Sequence, residues 1–321
     1  AKELDDVEVI EEIFVSTRQI IAKPRTLEDV WQSSHSAGYL PDMAQAKEDF
    51  LKVLGVMPVK AREMLDSQLI PVLLSYYGNR FRFWHNFNHI YSVMDGIQVP
   101  FMAVAALFHD LVYRPGRNDN EDRTIDQMNA LRPLFLMSDN SFEYVRGLIL
   151  ATQDPFLTKE NTPEREFCVR DFHGLTGTPL QALLFEDCIR KEFQVYQWEE
   201  YRQGREKFLS SVINSPLSTP TVIANCEMLI SRLSQRPPNV GFFLGSFNPF
   251  HKGHLNVLQQ AERMFDFVYL GVGVDPNKDP NGALLRERAD NLKKVLPRHC
   301  VIPFSGLAVE AAARMCNNCA A

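Results

Sequence analysis

The sequence predicts a mainly α protein, an all-helical domain over residues 1–236 followed by a partial α/β segment over 237–321. Three observations carry that expectation. Apolar residues recur at three- and four-residue steps through the first 230 positions, with no alternating run to compete for a strand. Arg236-Pro237-Pro238-Asn239 then interrupts the pattern, because each proline removes an amide donor and turns the preceding residue away from the helix. After it come an apolar run, a Gly/Asn/Pro-rich loop, an amphipathic stretch and a second β-branched run. Strand, loop, helix and strand in that order begin a parallel sheet.

Taken in order, Val7, Ile10, Ile13, Phe14, Thr17, Ile20 and Ile21 predict a first amphipathic helix that Pro24 stops. Further helices are expected over 42–54, 60–77, 85–95, 99–112, 121–134, 141–152, 180–195 and 198–211, with turn-rich stretches at 114–120 and 154–163. Strands are expected over 240–245 and 267–274 and a helix over 253–265 between them. A chain of 321 residues fits one large or two ordinary domains.

The composition is 45% hydrophobic and 23% charged with a net charge of −6, as in a soluble globular protein. That charge gives no reason to expect nucleic acid or a membrane surface as partner. No apolar run reaches the roughly 18 residues that span a bilayer, and the acidic start is unlike a secretory signal. A cytoplasmic location is expected. Six cysteines at irregular spacing fit reduced thiols, since the Cys316–Cys319 pair lacks the second pair or histidines of a zinc site.

Two clusters carry chemistry. In Trp84-His85-Asn86-Phe87-Asn88-His89, a helix would put His85 and His89 one turn apart on one face. In Leu107-Phe108-His109-Asp110-Leu111, the preceding run Met102–Ala106 predicts a buried helix that carries an imidazole and a carboxylate inward. An uncompensated buried carboxylate costs several kcal/mol, and a divalent cation offsets that cost. Imidazole with carboxylate suits Mn, Fe, Co, Ni or Zn; Mg is admitted but prefers all-oxygen shells.

These residues, with Asp119-Asn120-Glu121, Thr152 and the run Tyr201 to Arg205, resemble the HD superfamily of metal-dependent phosphohydrolases over about 67–209. The resemblance implies that His89, His109, Asp110 and an aspartate from a later helix, best matched by Asp171 with Asp187 as fallback, hold the ion. It implies that His85 protonates the leaving oxygen. Glu121 is a candidate base or water-orienting residue, and Arg82, Arg114 and Arg117 are candidate phosphate clamps.

The second signal is Gly245-Ser246-Phe247-Asn248-Pro249-Phe250-His251-Lys252-Gly253-His254, a turn whose amides meet a positive helix end suited to phosphate. With Met264-Phe265-Asp266, Asp275-Pro276-Asn277-Lys278 and Phe304-Ser305-Gly306-Leu307 it resembles phosphopantetheine adenylyltransferase, and its first motif nicotinamide mononucleotide adenylyltransferase, a Rossmann-like nucleotidyltransferase type. His251 and His254 can both donate hydrogen bonds to a polyphosphate, and the resemblance implies that Ser246 and His254 contact a nucleotide triphosphate and Lys278 an acceptor phosphate. That family also carries a second phosphate-binding half that does not follow here. A relic packed on the helices, completion through homo-oligomers and part of a longer bifunctional protein all remain open.

The leading expectation is hydrolysis of a phosphoester of a nucleotide or nucleotide-derived cofactor, a small-molecule partner. One alternative is a bifunctional or relic adenylyltransferase. The other is a non-catalytic nucleotide-binding module with a structural metal, marked by a closed ligand shell.

Overall fold

A computed structural model describes residues 43–79, 82–235, 238–274, 284–296 and 298–317. The helix expected over Val7–Ile21, Lys278, Cys319 and the side chain of Cys316 lie outside the described residues. Among those described, helices run from Met43 to Gln235 and a three-stranded parallel sheet follows. None of these helices is long and apolar enough to cross a membrane.

The chain divides into two compact units that part between His173 and Gly174. The first contains α1 (Met43–Val56), α2 (Val59–Arg62), α3 (Leu69–Tyr77), α4 (Phe87–Met94), α5 (Pro100–Phe108), α6 (Asn120–Ala130), α7 (Asp139–Ala151) and α8 (Pro163–Asp171). Its core gathers Phe50, Tyr77, Phe87, Ile90, Phe108 and Phe167 from five of these helices. The central helix α5 is buried from Met102 to Phe108, as its uninterrupted apolar run requires. Its end is held by Tyr77, whose hydroxyl donates to the Leu107 carbonyl at 2.8 Å.

Two expected helices change shape, and one helix appears that periodicity did not predict. The stretch 60–77 breaks into α2 and α3, because Asp66 caps the turn between them by accepting from the Gln68 amide at 2.8 Å. The helix expected from residue 85 starts at Phe87, because Asn86 takes an extended conformation and its side chain accepts from the Asn88 amide. His85 therefore sits in a turn and does not share a helical face with His89. Helix α8, absent from the expected helices, is set by Thr162 as cap and Pro163 in the first turn.

The second unit holds α9 (His173–Thr176) from Gly174 onward, α10 (Pro179–Glu192), α11 (Trp198–Ile213), α12 (Pro220–Gln235), β1 (Val240–Gly245), α13 (Lys252–Met264), β2 (Phe267–Gly273), α14 (Leu285–Val295), β3 (Val301–Phe304) and α15 (Ala308–Asn317). The strand order is β1-β2-β3, with Val240 opposite Phe267 and Leu270 opposite Val301. All seven residues of β2 are buried, which explains why it reads as continuous rather than alternating. An added Cβ at Gly271 would press on the side chains of Leu244 and Phe304, which would have to shift.

The sequence changes character at 237–239, but the units part some sixty residues earlier. The reason is polar and aromatic contact between α10–α11 and β2. The Trp198 amide donates to the Tyr269 hydroxyl at 2.6 Å, the Val268 amide to Gln194 Oε1 at 3.3 Å, and Arg190 to the Asp266 carbonyl. Trp198 and Tyr201 lay their rings against Phe267 at 5.6 and 5.7 Å. These helices thus belong with the sheet, although periodicity groups them with the helices before them.

Candidate metal centre and nucleotide loop

In the first unit, His89 comes from the first turn of α4, His109 caps the C-terminal end of α5, Asp110 follows it in a turn, and Asp171 ends α8. Their donor atoms all lie within 4.8 Å of one another. His89 Nε2 is 3.1 Å from His109 Nε2, 3.2 Å from Asp110 Oδ2 and 3.1 Å from Asp171 Oδ1. His109 Nε2 is 3.0 Å from Asp110 Oδ2 and 3.3 Å from Asp171 Oδ1.

These separations test whether a cation fits. Ligand bonds of about 2.0–2.2 Å put adjacent donors roughly 2.8–3.6 Å apart across octahedral and tetrahedral shells. The five distances fall in that interval. Asp110 Oδ2 is buried and makes no hydrogen bond of good geometry despite its two near imidazoles. His109 Nδ1 donates to the Ala106 carbonyl at 2.9 Å, which turns the lone pair of Nε2 toward the cluster. Both histidines are only 3% exposed.

Electrostatics point the same way. Burial opposes charge on His89 and His109, but the nearby carboxylates of Asp110 and Asp171 outweigh it and raise both, His109 well above the usual histidine range. Burial alone would raise Asp110 and Asp171, yet the imidazoles hold both carboxyls well below theirs. Protons alone satisfy this arrangement poorly, because two protonated Nε2 atoms 3.1 Å apart repel one another. A divalent cation supplies the positive charge without that conflict.

The other expected residues divide. His85 stacks on Tyr113 at 3.7 Å and lies with its ring 5.8 Å from that of His89, beside the donor set rather than in it. Glu121, in the first turn of α6, is raised by burial first and then by the like charges of Asp110 and Asp171, which places it within electrostatic reach of the cluster. Arg82 does not offer itself to phosphate. It is 6% exposed and donates to the carbonyls of His85 at 3.1 Å, Asp110 at 2.6 Å and Leu111 at 2.7 Å. Its work is to tie the two ligand-bearing segments together. Arg117 is held by both oxygens of Asp119, and Arg114 is exposed with its amide bound to Asn120. Asp187, the fallback ligand, sits in the second unit and pairs with Arg190 and Lys191.

Two residues of the site went unrecognised in the sequence. His173 stacks on His89 at 5.1 Å, and Trp84 stacks on His173 at 5.0 Å. His173 is pushed down to about 4 by burial first and then by the charge of His89, so it is neutral near pH 7. Its place two residues after Asp171 was the available signal.

In the second unit the loop between β1 and α13 holds Ser246, His251 and His254. Phe247 adopts a positive φ of 44° and buries its ring against Phe243, Phe250 and His254. The His251 side chain caps α13 by accepting the Gly253 amide on Nδ1 at 3.1 Å, and His254 Nδ1 accepts the His251 amide at 3.2 Å. With both Nδ1 atoms accepting, both rings present Nε2–H as a donor. The rings stack at 3.7 Å, and burial followed by the charge of His251 lowers His254. From α14, Arg288 donates to the Ser246 carbonyl at 3.0 Å and the Gly273 carbonyl at 3.1 Å, joining the carboxyl ends of β1 and β2. A crevice beyond such strand ends is where parallel sheets take nucleotides.

Comparison with known proteins bears on this second unit. Residues 242–315 match the family described as cytidylyltransferase-like. The chain is similar to the phosphopantetheine adenylyltransferase of Mycoplasma capricolum, at 46% identity over 59 residues, 18% of this chain and 40% of that protein. It is 40% identical over 80 residues to that of Methylocella silvestris, 23% of this chain and 48% of the relative. To that of Streptococcus pneumoniae it is 35% identical over 85 residues, 25% of this chain and 51% of the relative. The chain thus spans about half the length of these curated relatives or less. No solved structure matches it significantly. Its C-terminal part is a cytidylyltransferase-like segment with phosphopantetheine adenylyltransferase relatives.

Proposed function

We propose that the first unit is a metal-dependent phosphohydrolase acting on a phosphoester of a nucleotide or nucleotide-derived cofactor, and that the second unit binds nucleotide phosphates. The observation that carries the hydrolase is the convergence of His89, His109, Asp110 and Asp171 within 4.8 Å. These four would hold the ion, and their mixed donors suit Mn, Fe, Co, Ni or Zn. Such an ion, when bound, supplies Lewis acidity and brings water near neutrality in pKa. In the reaction a bond forms from the oxygen of water to phosphorus and the bond from phosphorus to the leaving oxygen breaks. Glu121 takes the proton that the water loses, and His85 gives one to the leaving oxygen. Hydrolysis of a panel of nucleotides and phosphoesters with Mn²⁺ or Co²⁺ tests the reading. Activity that survives His109→Ala and Asp110→Ala unchanged would overturn it.

The comparisons favour a second reading, adenylyl transfer from ATP to a phosphate acceptor with release of pyrophosphate. It is supported by the cytidylyltransferase-like match over 242–315 and by the two Nε2–H donors at the start of α13. Preorganised donors of this kind stabilise charge that develops on a polyphosphate. Pyrophosphate release with phosphopantetheine or nicotinamide mononucleotide, Mg²⁺ and ATP, dependent on His254, is the expected result. Its absence with both acceptors counts against this reading and leaves the first untouched.

A further inference from the structure

The two imidazoles of the cluster are held by different means. His109 is fixed by its hydrogen bond to the Ala106 carbonyl. His89 Nδ1 is buried and has no hydrogen-bond partner among the described residues. Rotation about the bond that carries an imidazole ring is soft and roughly two-fold, so a ring whose Nδ1 lacks such an anchor is oriented on that side by packing. The packing here is aromatic. His173 lies stacked on the His89 ring at 5.1 Å and 19°, Trp84 touches the same ring at 5.5 Å and 43°, and Trp84 and His173 stack on each other at 5.0 Å and 26°. The three rings close a triangle. His173 is itself anchored, through Nδ1–H on the Arg170 carbonyl at 3.2 Å.

We propose that Trp84 and His173 are positioning residues for His89, an aromatic wall that does the orienting done for His109 by a hydrogen bond. The inference rests on reading the cluster as a metal site. Metal-binding histidines ordinarily give their second nitrogen to a carboxylate or carbonyl, and losing such a partner weakens metal about 10–100-fold. The wall meets His89 through ring contact rather than through a hydrogen bond, so its effect on His89 resides in the shape of the rings. Replacing the imidazole of His173 by a benzene ring keeps the shape and removes the nitrogens.

The experiment is calorimetric titration of the chelator-stripped full chain with Mn²⁺ or Co²⁺ alone, in the natural protein and in His173→Phe, His173→Ala and Trp84→Phe. Binding within about threefold of the natural protein is expected for His173→Phe, and a loss of about tenfold for His173→Ala. Saturable quenching of tryptophan emission by Co²⁺ is expected in the natural protein and lost in Trp84→Phe. If His173→Phe is as damaging as His173→Ala, the nitrogens matter and the proposal is overturned. It is also overturned if His173→Ala binds like the natural protein. Should His173→Ala fail to fold, His173→Phe and the quenching still decide. If the natural protein binds neither ion, the metal reading fails, which is a separate outcome.

Discussion

The donor cluster of the first unit and the loop of the second show two ways to build a site. The cluster draws donors from α4, the end of α5 and the end of α8, residues more than eighty positions apart, and buries both histidines. The loop is contiguous from Gly245 to His254, and its two histidines are oriented by nearby backbone amides, His251 by that of Gly253 and His254 by that of His251. A site of the first kind depends on every helix that carries a ligand. A site of the second kind depends mainly on its own turn and on the strand before it. Damage should therefore spread differently from the two.

The largest contrast should come from removing ligands. In His109→Ala or Asp110→Asn, metal affinity should fall by more than about 100-fold, beyond the loss typical of supporting partners, with nucleotide binding unchanged. Equilibrium dialysis with metal analysis and a separate ATP titration measure both. If nucleotide binding falls equally, the two sites are not independent.

Arg82→Ala sharpens the same contrast. Three carbonyls, two of them on His85 and Asp110, lose a charged donor in a buried setting. A destabilisation of about 3 kcal/mol is expected, read by urea unfolding. An arginine serving as a phosphate clamp would instead change KM and leave the unfolding midpoint alone.

His254→Ala should reduce any pyrophosphate release by about 100-fold, the range for loss of one preorganised donor, and leave metal content as it was. A parallel loss of metal would show that the loop supports the cluster.

The smallest effect is one of pH. His89 and His109 are raised in the folded chain, so protonation contributes stability that is present below the unfolded histidine value of about 6.5 and is lost as pH rises through the raised values. In chelator the melting temperature should fall over that rise, since the two carboxylates lose their neutralising protons. Added Mn²⁺ should restore it, by more at higher pH. A melting curve that is flat with pH in chelator would show that the imidazoles are not protonated against the carboxylates.

Much of this was legible in residue order because its causes are local. The helical repeat of 43–235, the apolar run into His109 and the strand-loop-helix after Asn239 each follow from neighbours a few residues apart. His109 and Asp110 carried a legible signal too, because an imidazole beside a carboxylate in an apolar run needs a compensating charge; Asp171 entered only through the resemblance. What misled was also local. His85 reads as helical until Asn86 is seen to cap the helix, and Arg82 reads as available until its carbonyl partners are seen.

The sequence by itself determined where side chains of metal-ligating and phosphate-binding type cluster, since residue type and short spacing carry that information. Tertiary structure alone decided that Asp171 meets His89 and His109, that Trp84 and His173 wall the site, and that α10–α12 belong with the sheet. Those outcomes depend on helices packing across long separations, where burial and ring contact rather than residue spacing select the partner.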